Sequence, residues 1–321
     1  MSKNITLTQL SYIIAVSRYQ NFALAARKCF VSQPTLSVQI QKVEDELGVI
    51  LFDRKRQPIV PTEIGKAVIE QAKLVTRDMD HLGEIVMNKK GLVEGKFRLG
   101  IIPTVAGCLI PLFLKSFSDK YPNVELIVSE LQTDALVKDL VNDRIDAGIA
   151  ATPIGNSEIL EQRLYLEPFM LYASPKHPLS RFKNVSQADL KNHDVWLMSE
   201  GHCFRNQVTQ LCLIKEEKKQ RRRVDFESGN FQTLIRLVDQ NYGVTLLPSL
   251  FTQCLNKKTQ DTMVKRFSPP EPVREISFLS RRLIVKKAIA DALISEILGS
   301  LPKEFKTKRR SARPLDPLKS F

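Results

Sequence analysis

Over the first fifty residues, hydrophobic positions recur at helical spacing, punctuated by residues that start and stop helices. Thr6 and Gln9 in "TLTQ" fit a capping box, ahead of a helix running to about Arg18. Asn21 can cap a second helix, "FALAARKCF", whose small Ala25 and Ala26 let another helix approach closely. Ser32 can cap a third, with Pro34 tolerated in its first turn and Gly48 offering a stop. In that third helix Leu36, Ile40, Val43 and Leu47 fall four, three and four apart, so one face is buried. The opposite face shows Gln33, Thr35, Ser37, Gln39 and Lys42, amide, hydroxyl and ammonium groups of the kind that bond base edges and phosphates. "ILFDRKRQPIVPT" then reads as two short strands around a basic turn. Behind a helix-turn-helix, Arg54, Lys55 and Arg56 would lie along flanking phosphates or dip into a minor groove; taken alone, they are an exposed turn.

From Thr62 to about Asn88 the pattern changes to one long stripe: Ile64, Val68, Ala72, Val75, Met79, Leu82 and Val86. A helix of about 25 residues is ~38 Å long, too long to pack wholly on a small head. Pairing with a second copy would bury the stripe; the alternative is a core helix of the following domain. After Gly95 strand-like and helix-like runs alternate. "KFRLGIIPT", "VELIVSE" and "IDAGIA" read as strands around the helices "CLIPLFLKSFSDKYP" and "TDALVKDLVNDR". From about Glu167 a second set follows: "PFMLYAS", "DVWLMS", a helical stretch after Gly201, "RVDFES", "FQTLIRLVDQNYG" and "VTLLPSL". "REISFLS" and the helix "VKKAIADALISEILGSL" close the pattern. Such alternation implies parallel sheets with crossover helices, here in two α/β lobes joined by crossing strands. Ligands of open sheets bind at the carboxyl ends of the strands.

Composition adds direction. The 321 residues suggest two or three domains, and the ordinary apolar content can bury real cores. No apolar run reaches the ~18 residues of a membrane span, and the N-terminus lacks a secretory pattern, so the expected compartment is the cytoplasm. The net charge of +13 sits mainly at the ends: +4 within residues 1–62 and +5 within 302–321. A basic head suits a polyanion, whereas a basic tail is ordinarily a solvated end. Five scattered cysteines (Cys29, Cys108, Cys203, Cys212 and Cys254) do not form a secreted disulfide framework. No glycine-rich phosphate loop or metal-ligand spacing appears, so a kinase, a zinc site or a glycosidase has no support, and no metal or cofactor is expected.

The head "FALAARKCFVSQPTLSVQIQKVEDELGVILFDR" closely resembles the winged helix-turn-helix of the LysR-type transcriptional regulators, and the order of elements is similar over nearly the whole chain. The resemblance implies a winged helix-turn-helix over 5–62, a dimerising linker helix over 63–91 and a two-lobed, periplasmic-binding-protein-like effector domain over 92–303. Lobe I would take about 92–166 and 272–303, lobe II about 167–271, and 304–321 would be a disordered basic tail. The residues meeting double-stranded DNA would be Gln33, Pro34, Thr35, Ser37, Gln39, Lys42, Arg54 and Arg56.

Three further stretches, "GIIPTV", "LQT" and "GHCFRNQ…C", resemble the hydrogen-peroxide-sensing members of that family. This implies that Cys203 reacts with peroxide and Cys212 resolves the resulting sulfenic acid as a reversible disulfide. His202 and Arg205 would favour the thiolate, Thr104, Thr133 and His202 would form the peroxide pocket, and Arg274 matches an arginine near the thiol. It further implies an activator that works as a dimer of dimers, meets RNA polymerase and is reset by a thiol reductant. On one continuous helix, nine residues give ~13.5 Å of rise and about half a turn of offset, whereas a disulfide needs its Cα atoms within ~7 Å. If both cysteines lie on a helix when reduced, bonding them must refold it. The blander reading makes both of them small buried hydrophobes, with the lobes binding an organic effector; a thiol peroxidase is the remaining alternative. Cys29, Cys108 and Cys254 read as core. Two departures stand out: Asn206 where an aspartate is expected, and a long basic run, Lys215 to Arg223.

Overall fold

The computed structural model of the chain describes residues 4–89, 92–191, 193–212, 226, 228–281, 286–306 and 312–317. They fall into two compact units, 1–90 and 91–321.

In the first unit α1 (Leu7–Tyr19) starts at a reciprocal capping box: Gln9 N–H donates to Thr6 Oγ1 at 3.3 Å, and Thr6 N–H donates to Gln9 Oε1 at 2.8 Å. α2 (Phe22–Lys28) and α3 (Gln33–Leu47) begin where Asn21 and Ser32 accept backbone bonds. Gly48 ends α3 at φ +70°, a left-handed conformation that glycine adopts without steric cost. Ile13, Val16, Ala25, Ala26, Leu36, Ile40 and Val43 fill the centre of this unit. β1 (Phe52–Asp53) and β2 (Val60–Pro61) pair antiparallel as the wing. α4 (Glu63–Lys89) is the long linker helix. Within the unit Ile69 and Ala72 are buried, while Ile64, Val75 and Met79 remain exposed. The side chains of Leu82 and Val86 lie outside the described set.

The second unit carries β3 (Gly95–Ile101), α5 (Pro103–Lys120), β4 (Val124–Glu130), α6 (Thr133–Val141) and β5 (Ala147–Thr152). The long β6 (Ile159–Ala173) leads to β7 (Asn184–Val185), β8 (Val195–Trp196) and α7 (Cys203–Cys212). Then come α8 (Phe231–Asp239), β9 (Val244–Pro248), α9 (Ser249–Gln253), α10 (Lys257–Met263) and β10 (Val264–Phe267). β11 (Glu271–Arg281), α11 (Lys287–Ser300), α12 (Lys303–Lys306) and β12 (Ala312–Pro314) complete it. As the alternation predicts, β3 is parallel to β4 and β5, and β8 is parallel to β9. The sheet is nevertheless mixed. β6 and β11 run antiparallel to each other because one leaves lobe I and the other returns to it, and β11 is also antiparallel to β5. Residues 159–168 of β6 pair with β11, and 169–173 pair with β9, so one strand serves both lobes. Each lobe has its own core, around Phe97, Phe113, Leu136 and Phe278 in one and Leu171, Leu211, Leu234 and Leu246 in the other.

The described residues of the tail expected to be disordered over 304–321 are ordered. Lys303–Lys306 form a helical turn, and Ala312–Pro314 add a parallel strand to β11. Leu315 is buried in the lobe II core. The seven basic residues suggest a solvated end, yet Ala312–Pro314 pair along the edge of β11 and Leu315 follows them into the core. Residues 307–311 and 318–321, the strand expected at "RVDFES" apart from Phe226 and Ser228, and the run Lys215 to Arg223 lie outside the described residues.

Candidate redox site and nucleic-acid interface

Thr104, Thr133 and Cys203 each sit in the first turn of a helix that follows a parallel strand: α5 after β3, α6 after β4 and α7 after β8. These are carboxyl ends of strands, where open sheets bind ligands. Gly201 (φ +87°) turns the chain into α7 so close to Gln132 that an added Cβ would lie 2.7 Å from its Oε1. The start of α7 thereby lies against the start of α6, beside Thr133. Thr133 Oγ1 is buried and has no hydrogen-bond partner among the described residues. Such an orphan usually marks a place for water or a small polar ligand.

Arg274 organises the other side. Its Nε donates to Glu167 Oε2 at 2.8 Å, its Nη1 to Thr104 Oγ1 at 3.0 Å and its Nη2 to the Thr104 carbonyl at 3.0 Å. Both charged partners are 1% exposed. Glu167 Oε1 accepts the Leu250 N–H, and the guanidinium lies 5.1 Å above the ring of Phe204, next to Cys203. Glu167 was not singled out from the sequence. Its signal was a carboxylate inside the apolar strand run "YLEPFMLY".

Cys203 and Cys212 are the first and last residues of α7, and both are buried. Cys203 packs with the lobe I core, whereas Phe204, Val208, Leu211 and Cys212 pack in lobe II, so the helix straddles the two. A helix N-terminus gathers partial positive charge and its C-terminus negative charge. Cys203 thus lies at the positive end of α7 and Cys212 at its negative end; burial pushes the Cys212 thiol up to about 12. Burial pushes the His202 imidazole down from its ordinary value, which favours its neutral form. Arg205 is buried, with Nη1 donating to the Met198 carbonyl at 2.8 Å. Asn206 Nδ2 donates to the Pro317 carbonyl at 3.3 Å, and Gln207 Nε2 donates to the Leu315 carbonyl at 3.0 Å. The amide at 206 therefore suits the docked tail, since an ionised aspartate has no proton to donate there.

In the head, Gln33, Pro34, Thr35 and Lys42 are exposed on α3, and Ser37 and Gln39 are half-buried. Gln39 accepts a bond from Gln9 of α1 at 3.0 Å. Arg54 is partly committed to the fold: it pairs with buried Glu44 at 2.6 Å, and its guanidinium lies 5.2 Å from the centre of the Phe22 ring. Glu44 also accepts the Leu51 N–H at 2.8 Å, which ties the wing to α3. Arg56 is exposed beside Asp53.

Comparison with known proteins agrees with both units. Residues 7–66 match the bacterial regulatory helix-turn-helix protein family of lysR type, and residues 90–301 match the LysR substrate binding domain. The chain is 32% identical over 280 residues to a hydrogen peroxide-inducible genes activator of Haemophilus influenzae, covering 86% of this chain and 91% of that one. It is 31% identical over 277 residues to the DNA-binding transcriptional dual regulator OxyR of Escherichia coli, covering 86% and 90%. A solved full-length OxyR variant from Pseudomonas aeruginosa superposes with a TM-score of 0.71 at 29% identity, covering 92% of this chain and 97% of that one. With both of its units matched over most of their length, the chain belongs to the LysR family of bacterial transcription regulators.

Proposed function

We propose that this regulator binds double-stranded promoter DNA and activates transcription in response to hydrogen peroxide, through a reversible Cys203–Cys212 disulfide. The Cys203 thiolate attacks one peroxide oxygen, the O–O bond breaks, and hydroxide leaves a sulfenic acid on the sulfur. The Cys212 thiol displaces that oxygen as water and the S–S bond forms; a thiol reductant returns the two electrons. Thr104, fixed by Arg274, and Thr133, with its unpartnered hydroxyl, hold the peroxide beside Cys203, with His202 as hydrogen-bonding support. Arg205 braces the start of α7 through Met198.

The observation that carries the reading is that the two cysteines occupy opposite ends of one ten-residue helix. Their bond cannot form until that helix unwinds, so oxidation is a conformational event by construction. The rearranged segment alters packing between subunits of a dimer of dimers. That resets the spacing of heads whose Gln33, Pro34, Thr35, Ser37, Gln39, Lys42, Arg54 and Arg56 meet DNA, and exposes a surface to RNA polymerase. The compartment is the cytoplasm, where thiols are kept reduced; no described helix is long and apolar enough to cross a membrane.

The test is a DNA footprint of reduced and peroxide-treated protein, wild type and Cys203→Ser. The footprint should shift on oxidation in the wild type and stay fixed in the variant. A peroxide-dependent shift that survives in Cys203→Ser would overturn the proposal in favour of a different effector.

A further inference from the structure

Cys108 and Cys254, which read as core in the sequence, are 146 residues apart in the chain and adjacent in space. Cys254 Sγ lies 2.8 Å from Cys108 Sγ, within about 1 Å of the ~2.05 Å of a formed disulfide. Cys108 is on α5 of lobe I, and Cys254 follows α9, which leads out of β9 in lobe II; the two helices pack together. We propose that Cys108 and Cys254 are a second redox couple, a dithiol that a hydroperoxide closes into a disulfide joining the two lobes. This assignment is independent of the chemistry at Cys203.

The two thiols differ in a way that sets the order of events. Cys254 is exposed, and Cys108 is buried. Burial and the neighbouring Cys254 push the Cys108 thiol up, and Glu167 adds to this while Arg274 opposes it. Cys254 therefore meets the oxidant first. Its sulfur attacks the distal oxygen of ROOH, the O–O bond breaks, and the leaving alkoxide departs as ROH with the thiol proton (water for hydrogen peroxide). Cys108 then attacks the sulfur of the Cys254 sulfenic acid. The S–O bond breaks, and the hydroxyl leaves as water with the Cys108 proton. Two thiols have lost two protons and two electrons, and one peroxide bond has been reduced.

The mechanical consequence is the opposite of that at α7. There a helix must unwind before sulfurs meet, whereas here they already touch and the surrounding elements keep their places. The bond would fix α5, which carries Thr104, against α9, whose Leu250 N–H holds the Glu167 partner of Arg274. It is a latch on the frame around the first site, engaged while α7 rearranges.

The experiment uses the full-length chain carrying Cys203→Ser and Cys212→Ser, so that only the second couple can close. It is treated with hydrogen peroxide, quenched by alkylation under denaturing conditions and mapped as non-reduced peptides. The expected result is loss of two alkylatable thiols and recovery of a Cys108–Cys254 linked peptide, both reversed by dithiothreitol. Adding Cys254→Ser should abolish the linked peptide and leave Cys108 alkylatable. The same linked peptide is expected from peroxide-treated wild-type protein, which keeps the assignment testable should the variant fold poorly. The proposal is overturned if both thiols stay alkylatable at a dose that fully oxidises Cys203 and Cys212 in the wild type. It is equally overturned if Cys254 advances to sulfinic acid while Cys108 remains free.

Discussion

Arg274 is a cation held almost out of water by one carboxylate, one hydroxyl, one carbonyl and one aromatic face. Removing one partner of such a pair strands the other charge, which typically costs ~3–5 kcal/mol, whereas replacing both with apolar groups can be nearly neutral. Arg274→Met should therefore lower the stability of the effector unit by about that amount in denaturant titration, and adding Glu167→Leu should recover most of the loss. Additive losses in the double variant would contradict a coupled pair. Arg274 was legible in the sequence through its resemblance to a family position, and Glu167 was not. The meaning of the carboxylate depends on β6 lying beside β11 in the register that sets Glu167 opposite Arg274. Local spacing carries no trace of that pairing. The same limit hid the contact between Cys108 and Cys254, which belong to helices far apart in the chain.

At the level of elements, the parts governed by local rules were the ones the sequence revealed. Thr6, Asn21, Ser32 and Gly48 delimit α1, α2 and α3 because caps are chemistry within four residues of a helix end. The short β7 and β10 and the helices α9 and α10 were missed, since so few residues show no period. The tail departs from its expectation for a different reason: its charge dominates the composition, while pairing of Ala312–Pro314 with β11, some forty residues back, decides where it docks. That docking places two hydrogen bonds on α7, from Asn206 and Gln207. If α7 must unwind to oxidise, these bonds resist it by ~1 kcal/mol each. Removing residues 307–321 should then speed Cys203–Cys212 disulfide formation, by up to ~30-fold if both bonds count fully, in stopped reactions analysed by alkylation and mass. An unchanged rate would mean that the tail leaves α7 before the slow step.

For the molecule as a whole, the chain sets a basic head, a linker helix whose apolar stripe is only partly buried among its described residues, and a two-lobed effector unit in sequence, each with its own physical task. The head exposes Gln33, Thr35 and Lys42 on the polar face of α3. The linker leaves Ile64, Val75 and Met79 exposed within its own unit. The effector unit holds Cys203 on a helix that shares its side chains between two cores, so refolding α7 would disturb both lobes. Whether oxidation and refolding of α7 are one event is decided by hydrogen exchange read by mass spectrometry over residues 203–212, before and after peroxide. Amides from Gln207 to Cys212, protected in the reduced helix, should exchange rapidly once the Cys203–Cys212 bond is verified in the same sample. Full retention of their protection with that bond present would contradict a single event.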